Sequence, residues 1–278
     1  MALFEPLYTA DEMRAAEAGH DVAALMERAG RAVAEEAMRR FPDARSFAAW
    51  CGRGANGGDG RIAVEVLAGA GRQASVVEHD ASGEPPDVVV DALFGTGFRG
   101  VPRPDAAAAI DAMNSTGRPV VSVDIPSGVD ASSGEVAASA VRAAVTVTFH
   151  GRKVGHEVAP GRLHAGDVVV ADIGLDAADT ANRLVTPEVL RLVPRKRESD
   201  NKYTAGSVLV VGGSPGMTGA VRLTAEAAFR ADAGYVAVCA PRDSLPVLES
   251  ALVEPVKRPI EDAVEAAQRA GALAIGPG

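Results

Sequence analysis

Apolar residues recur along this chain with two different periods. Met13 and Ala16 open a stripe at helical spacing behind Thr9-Ala10-Asp11-Glu12, where a hydroxyl followed three residues later by a carboxylate forms a capping box. Val22, Leu25, Met26, Ala29 and Val33 share one face of a second helix, which stops before Pro42. Both helices are expected to precede the first strand and to pack on the sheet as an extension. From Ser46 onward, short apolar runs alternate with helical stripes. The pattern predicts strands at 46–51, 74–78, 87–93, 119–125, 143–149 and 168–173, with helices at 62–70 and 106–113. Asp87 to Leu93 and Pro119 to Ile125 are almost uninterrupted, as suits strands buried on both faces of a parallel sheet. Strand–helix alternation implies right-handed crossovers. The expected fold class is α/β, a Rossmann-like three-layer sandwich with a mostly parallel sheet.

The texture changes near residue 186. Pro187, Pro194 and the cluster Arg195-Lys196-Arg197-Glu198 read as a solvated linker. A basic nucleic-acid patch is the lesser reading, because no aromatic residues interleave with the charges. A second alternation then begins. It has strands at 207–211, 235–240 and 272–275, helices at 221–233 and 263–270, and a turn at Gly212-Gly213-Ser214-Pro215-Gly216. The expected domains are 1–190, a linker at 191–206, and 207–278. These roughly 70 residues fall short of the ~100 of a typical domain, so the second is expected to be an incomplete α/β segment. A partial sheet exposes an unpaired edge and apolar helix faces, so 207–278 is expected to be poorly ordered or aggregation-prone alone.

Composition narrows the function. The 278 residues are 47% hydrophobic and 23% charged, ordinary for a soluble globular chain. A net charge of −9 argues against a protein whose main task is holding nucleic acid. It leaves an anionic small ligand open, since backbone N–H groups at a helix start hold phosphate without Lys or Arg. Cys51 and Cys239 sit in separate apolar runs and read as buried small hydrophobes, with no disulfide framework or zinc spacing. No apolar run reaches the ~20 residues of a membrane span, and the first thirty residues lack a signal-peptide core. A cytoplasmic protein with no membrane partner is expected. A homo-oligomer is compatible with all of this.

Three loops carry the chemistry. Gly52 to Gly60, GRGANGGDG, joins a strand to a helix, the context that gives a glycine-rich turn meaning. Its glycines are expected to supply positive φ and close approach to a ligand. Asp91-Ala92-Leu93-Phe94-Gly95-Thr96-Gly97 places a carboxylate inside an apolar strand. A bare charge there is costly unless paired or bound to a cation, although a structurally satisfied Asp is also open. Asp124-Ile125-Pro126-Ser127-Gly128-Val129-Asp130 ends another buried strand. Ligands of open α/β sheets lie beyond the carboxyl ends of the strands, so the three loops are expected to converge.

Together NGGDG (56–60), DALFGTG (91–97) and DIPSGVD (124–130) resemble the NAD(P)HX epimerase family, the YjeF N-terminal domain. Thr146-Val147-Thr148-Phe149, Lys153, Gly155, Pro160-Gly161, Gly166, Asp172-Ile173-Gly174 and Met26-Glu27-Arg28-Ala29-Gly30 agree with it, so the resemblance spans roughly residues 9 to 185. The resemblance implies epimerisation of the R and S forms of hydrated NADH and NADPH, NADHX and NADPHX. It implies that Ala55, Asn56, Gly57, Gly58 and Asp59 hold this substrate, with Gly95, Thr96, Gly97, Phe98, Arg99, Gly100 and Val101. Asp124 would also touch it, and K+ would be held by Asn56, Asp91 and Ser127. That oxygen-only set suits a weakly held monovalent cation. Lys202-Tyr203, Gly206, Val208 to Ser214, Gly219-Ala220 and Gly276-Pro277-Gly278 resemble the opening of the ADP- or ATP-dependent NAD(P)HX dehydratase, a ribokinase-like domain, with Ala220 meeting the hydrated ligand. Its later nucleotide-binding segment is not found, so the chain is expected to be a truncated form of a bifunctional repair enzyme without dehydratase activity of its own.

Two departures from the family pattern stand out. Ala55 replaces a common Asn, and Arg61 follows the loop where an apolar residue is common. Arg61 reads either as a phosphate ligand or as a side chain pointing to solvent. Moving a proton while a C–O bond breaks and re-forms needs an acid/base at the cleft floor, which makes Asp124 the candidate catalytic residue. Lys153 is either a ligand-orienting residue or a surface lysine. The alternatives are a non-catalytic nucleotide-binding or scaffold module of the same fold, and a different Rossmann enzyme such as a dehydrogenase. Only Glu78 stands where the latter needs an acidic ribose-binding residue.

Overall fold

The computed structural model describes residues 2–77, 85–193, 198–202 and 204–278. Glu78, the charged cluster Arg195-Lys196-Arg197 and Tyr203 lie outside the described residues. The chain forms two compact units, one reaching to Val189 and the other running Leu190–Gly278.

The first unit is built from β1 (Phe4–Tyr8), α1 (Ala10–Glu17), α2 (Val22–Arg40), β2 (Ser46–Cys51), α3 (Ala55–Gly69), β3 (Gln73–Val76), β4 (Val88–Ala92), α4 (Pro104–Ser115), β5 (Val120–Val123), β6 (Val145–Phe149), β7 (Arg152–Lys153), α5 (Val154–Glu157), α6 (Arg162–Ala165), β8 (Asp167–Ala171) and β9 (Arg183–Val185). Six strands form one sheet in the order β3-β2-β4-β5-β6-β8, every pair parallel. The side-chain period of two sorts each strand between two cores. Phe47, Ala49, Val88, Val90, Val121, Val123, Val145 and Val147 face α2 and α3. Ala48, Trp50, Val89 and Val120 face Ile110 and Met113 of α4. This is the expected three-layer sandwich. The order reverses between β2, which is followed by β3 on one side, and β4 on the other. That switch point opens the crevice where such folds take ligands.

The capping box at Thr9 and Glu12 forms as expected, and Asp21 caps α2 by accepting from the backbone N–H groups of Ala23 and Ala24. Three expectations need correction. The helices do not come first: β1 precedes them and forms a small sheet in the order β7-β1-β9. Val22 is 59% exposed, because the buried stripe of α2 begins at Leu25. The helix expected from Ile62 starts at Ala55, so most of the glycine-rich loop is already its first turns.

The second unit contains β10 (Ser207–Val211), α7 (Thr218–Arg230), β11 (Tyr235–Ala240), α8 (Leu245–Ala251), β12 (Val256–Pro259), α9 (Ala263–Ala267) and β13 (Ala272–Ile275). Its parallel sheet runs β12-β11-β10-β13. Val210, Val236, Val238 and Ala240 pack against Val221, Ala225 and Leu248 on one face. Leu209, Ala237 and Cys239 pack near Ala263, Ala266 and Ala267 on the other. The sequence pattern missed α8 and β12, which are short, with Pro246 in the first turn of α8, Pro255 just before β12 and Pro259 at its end. Apolar surface remains exposed at the edge, with Leu273 at 51% and Ile275 at 73%. Among the described residues no helix is long and apolar enough to cross a membrane.

Candidate active site

The carboxyl ends of β2, β4, β5 and β6 meet at the switch point of the first unit. Gly52 closes the end of β2 by donating its N–H to the Ala92 carbonyl at 2.9 Å. The glycines of this loop act by close packing and not by positive φ, since none of Gly52, Gly54, Gly57, Gly58 or Gly60 has one. A Cβ on Gly57 would overlap the Gly52 carbonyl oxygen, and one on Gly60 would overlap the Ala92 methyl. One on Gly58 would collide with the Met26 sulfur. Glycine therefore lets α3 start directly at the strand end, with its free N–H groups and positive dipole end beside the crevice. Ala55 is exposed, Asn56, Gly57 and Asp59 are buried, and Gly58 is partly so. Arg61 is exposed, in keeping with the solvent reading. Its Nη1 donates to the Gly52 carbonyl at 3.1 Å.

Asp91 is fully buried and hydrogen-bonded through both carboxylate oxygens. Oδ2 accepts from Ser122 Oγ at 2.8 Å and Ser127 N at 2.9 Å, and Oδ1 accepts from Ser127 Oγ at 2.5 Å. Burial still raises its carboxyl above the ordinary range, against the hydrogen bonds that lower it. Asn56 Nδ2 donates to the Phe94 carbonyl at 2.8 Å, and Ser127 Oγ accepts from Phe94 N at 2.9 Å. Asn56 and Ser127 thus meet at the Phe94 backbone, and Ser127 links Asp91 to them.

Asp124 sits just past β5 with φ 65°, in the left-handed region that non-glycine residues rarely adopt. Its neighbours hold it there. Lys153 Nζ donates to Asp124 Oδ1 at 2.6 Å, to Thr148 Oγ1 at 2.7 Å and to the Phe149 carbonyl at 3.0 Å. Burial opposes ionisation of Asp124, but the Lys153 ammonium outweighs it and holds the carboxyl below the usual range. His156 Nδ1 accepts from Lys153 N at 3.0 Å, so its Nε2 carries the proton and donates to the Asp124 carbonyl at 2.9 Å. Burial keeps this imidazole neutral, with its value pushed down to about 3. Lys153 is therefore no surface lysine: it is 0% exposed. Thr148 and His156 were not foreseen. A Lys and a His close behind an apolar strand were the available signal, and only the return of β7 beside β1 turns them inward.

The remaining loop, Gly95 to Val101, reaches Asp124 through Thr96. Thr96 N donates to Asp124 Oδ2 at 3.3 Å, and Phe94 stacks on Phe98 with centroids 4.7 Å apart. Gly97, Arg99, Gly100 and Val101 are exposed, and Arg99 reaches Asp11 on the surface at 3.3 Å. Ala220 belongs to the second unit, exposed in the first turn of α7.

A parallel doubly wound sheet, with a glycine-packed helix start and a Lys–Asp pair at its switch point, places the first unit among Rossmann-like α/β domains. Its fold resembles the crystal structure of yeast YNL200c, with a TM-score of 0.51 at 19% identity, covering 65% of this chain and 100% of that one. Residues 22–83 and 72–155 match the family described as YjeF-related protein N-terminus, and 208–278 match the family NAD(P)H-hydrate dehydratase. The chain belongs to these families, joining a YjeF-related N-terminal domain to a dehydratase-family segment. Curated relatives named bifunctional NAD(P)H-hydrate repair enzyme include those of Pyrobaculum aerophilum, 35% identical over 91% of this chain, and Coxiella burnetii, 34% identical over 96%. The Escherichia coli relative is 29% identical over 91%. The chain spans 60%, 62% and 56% of these three proteins' lengths.

Proposed function

We propose that residues 1–190 form an epimerase domain, which interconverts the R and S epimers of hydrated NADH and NADPH with Asp124 as its acid/base. The observation that carries this reading is Asp124 itself. An ionised carboxylate is held at the strand-end crevice by Lys153, in a strained backbone conformation, beside the start of α3. The free N–H groups of Ala55, Asn56 and Gly57 at the start of α3 suit the substrate's diphosphate, and the 95–101 loop covers the ring end. The names of the relatives support the substrate class. Asn56, Asp91 and Ser127 fit a potassium ion by their oxygen-only chemistry, and Asp91 is a buried carboxylate without a basic partner. Bound there, the cation would supply the charge that keeps Asp91 ionised and would offset the negative charge of the ligand. Residues 207–278 would contribute Ala220 to binding of the hydrated cofactor in the ADP- or ATP-dependent dehydration carried out by the family.

The test mixes the purified chain with a single epimer of NADHX or NADPHX, with and without potassium, and follows epimer composition. Wild-type protein should bring the epimers to equilibrium, faster with potassium, and Asp124→Asn should slow this at least about 100-fold. An Asp124→Asn variant that turns over at the wild-type rate removes Asp124 from the reaction.

A further inference from the structure

A second carboxyl faces Asp124, and its environment pulls in the opposite direction. Asp59 lies in the second turn of α3 and is 7% exposed. Its Oδ1 is buried with no hydrogen-bond partner. The charged groups that face it are Asp124, at the end of β5, and Glu17, at the end of α1. On α2, Gly30 lies against the Asp59 backbone carbonyl, so the helix packs closely at this point. Burial first, then the Asp124 and Glu17 charges, push the Asp59 carboxyl up to about 8. Two carboxyls driven apart in this way make an acid and a base available together at neutral pH.

We propose that Asp59 is the general acid of this site and Asp124 its general base. The inference rests on the epimerase reading above. Asp59 donates its proton to the hydroxyl on the hydrated ring carbon. The C–O bond breaks, its electron pair leaves with the oxygen as water, and the ring-nitrogen lone pair closes a C=N+ bond. Water then adds to the opposite face of that carbon, and the C=N+ electron pair returns to nitrogen. Asp124 takes the proton released by the incoming water, and solvent carries it back to Asp59. No oxidant or further reactant is consumed.

The test compares wild-type protein with Asp59→Asn, which keeps the shape of the side chain and loses its proton. Loss of at least about 100-fold in kcat is expected, because a positioned acid contributes about 10²–10⁴-fold. The alkaline limb of the wild-type pH–rate profile should vanish from the residual activity. Unaltered kcat with a raised KM would make Asp59 a ligand contact and overturn the proposal, as would an alkaline limb that survives. A second readout needs no turnover. In unliganded protein carrying 13C-labelled aspartate, a carboxyl distinct from that of Asp91, which is also raised and persists in the variant, should titrate far above the ordinary range and be missing from Asp59→Asn. Its absence from the wild-type spectrum would also overturn the assignment. If the wild type does not interconvert the epimers while that carboxyl is present, the epimerase reading fails and the protonated Asp59 stands.

Discussion

The two units share an architecture and differ in what they bury. Each is a parallel sheet crossed by helices on both faces. The first hides Asp59, Asp91, Asp124, Lys153 and His156 at or beside its strand ends, whereas Ser244 is the one buried polar side chain among the described residues of the second. Burying charge costs stability unless it is paired, and parallel strands do not require it. The first unit is therefore organised around a site, while the second unit by itself is organised around apolar packing. Left-handed non-glycine backbone occurs in both, at Asp124 and His150 in the first and Asp232 in the second. The left-handed Asp124 of the first unit sits where Lys153, Thr148 and Thr96 converge.

Removing the cation gives the sharpest contrast. Lys153→Met leaves Asp124 buried without its partner, so the first unit should lose about 3–5 kcal/mol of stability while the second melts unchanged. Denaturant unfolding followed by hydrogen exchange resolves the two units. Equal losses in both would erase the distinction between the units.

His156 gives a smaller effect that depends on pH. The unfolded imidazole gains a proton near its ordinary 6.5, whereas the folded one resists until about 3. Between those values the unfolded chain binds more protons, so stability falls as the pH drops. Relative to His156→Gln, the wild-type first unit should lose up to about 1.4 kcal/mol per pH unit below 6.5. The second unit has no histidine and should show no such difference. A constant gap between wild type and variant from pH 7 to pH 5 counts against a buried neutral imidazole.

Ser244 should give the smallest effect. Its buried Oγ lacks a hydrogen-bond partner. Ser244→Ala should leave the second unit as stable or raise it by no more than about 1 kcal/mol, since an unpaired buried hydroxyl is itself costly. A clear loss in thermal melting would mean that Ser244 has a partner after all.

Much of the first unit was legible in the chain. The uninterrupted runs around Val88–Ala92 and Val120–Val123 announced strands covered on both faces, and both lie at the centre of the sheet. The loops at Asn56, Asp91, Asp124 and Ser127 were legible because glycines and acids cluster where the apolar strand runs end. β1 and β9 were not, since neither short strand carries the alternating pattern of a half-buried sheet, and they pair only after the chain returns across about 180 residues. Lys153 could not be placed because the period of a two-residue strand is undefined.

The strand–helix alternation, the three glycine-and-acid loops and the place of Asp124 at the end of a buried strand were all present in the sequence alone. Those features are local: they follow from apolar period and from which residues tolerate a strand end. The tertiary structure decided that the glycines serve contact and not positive φ. It also decided that Lys153 turns inward to ionise Asp124, and that Asp59 is left facing two acids. Charge state depends on burial and on neighbours distant in sequence, and only the folded chain supplies both.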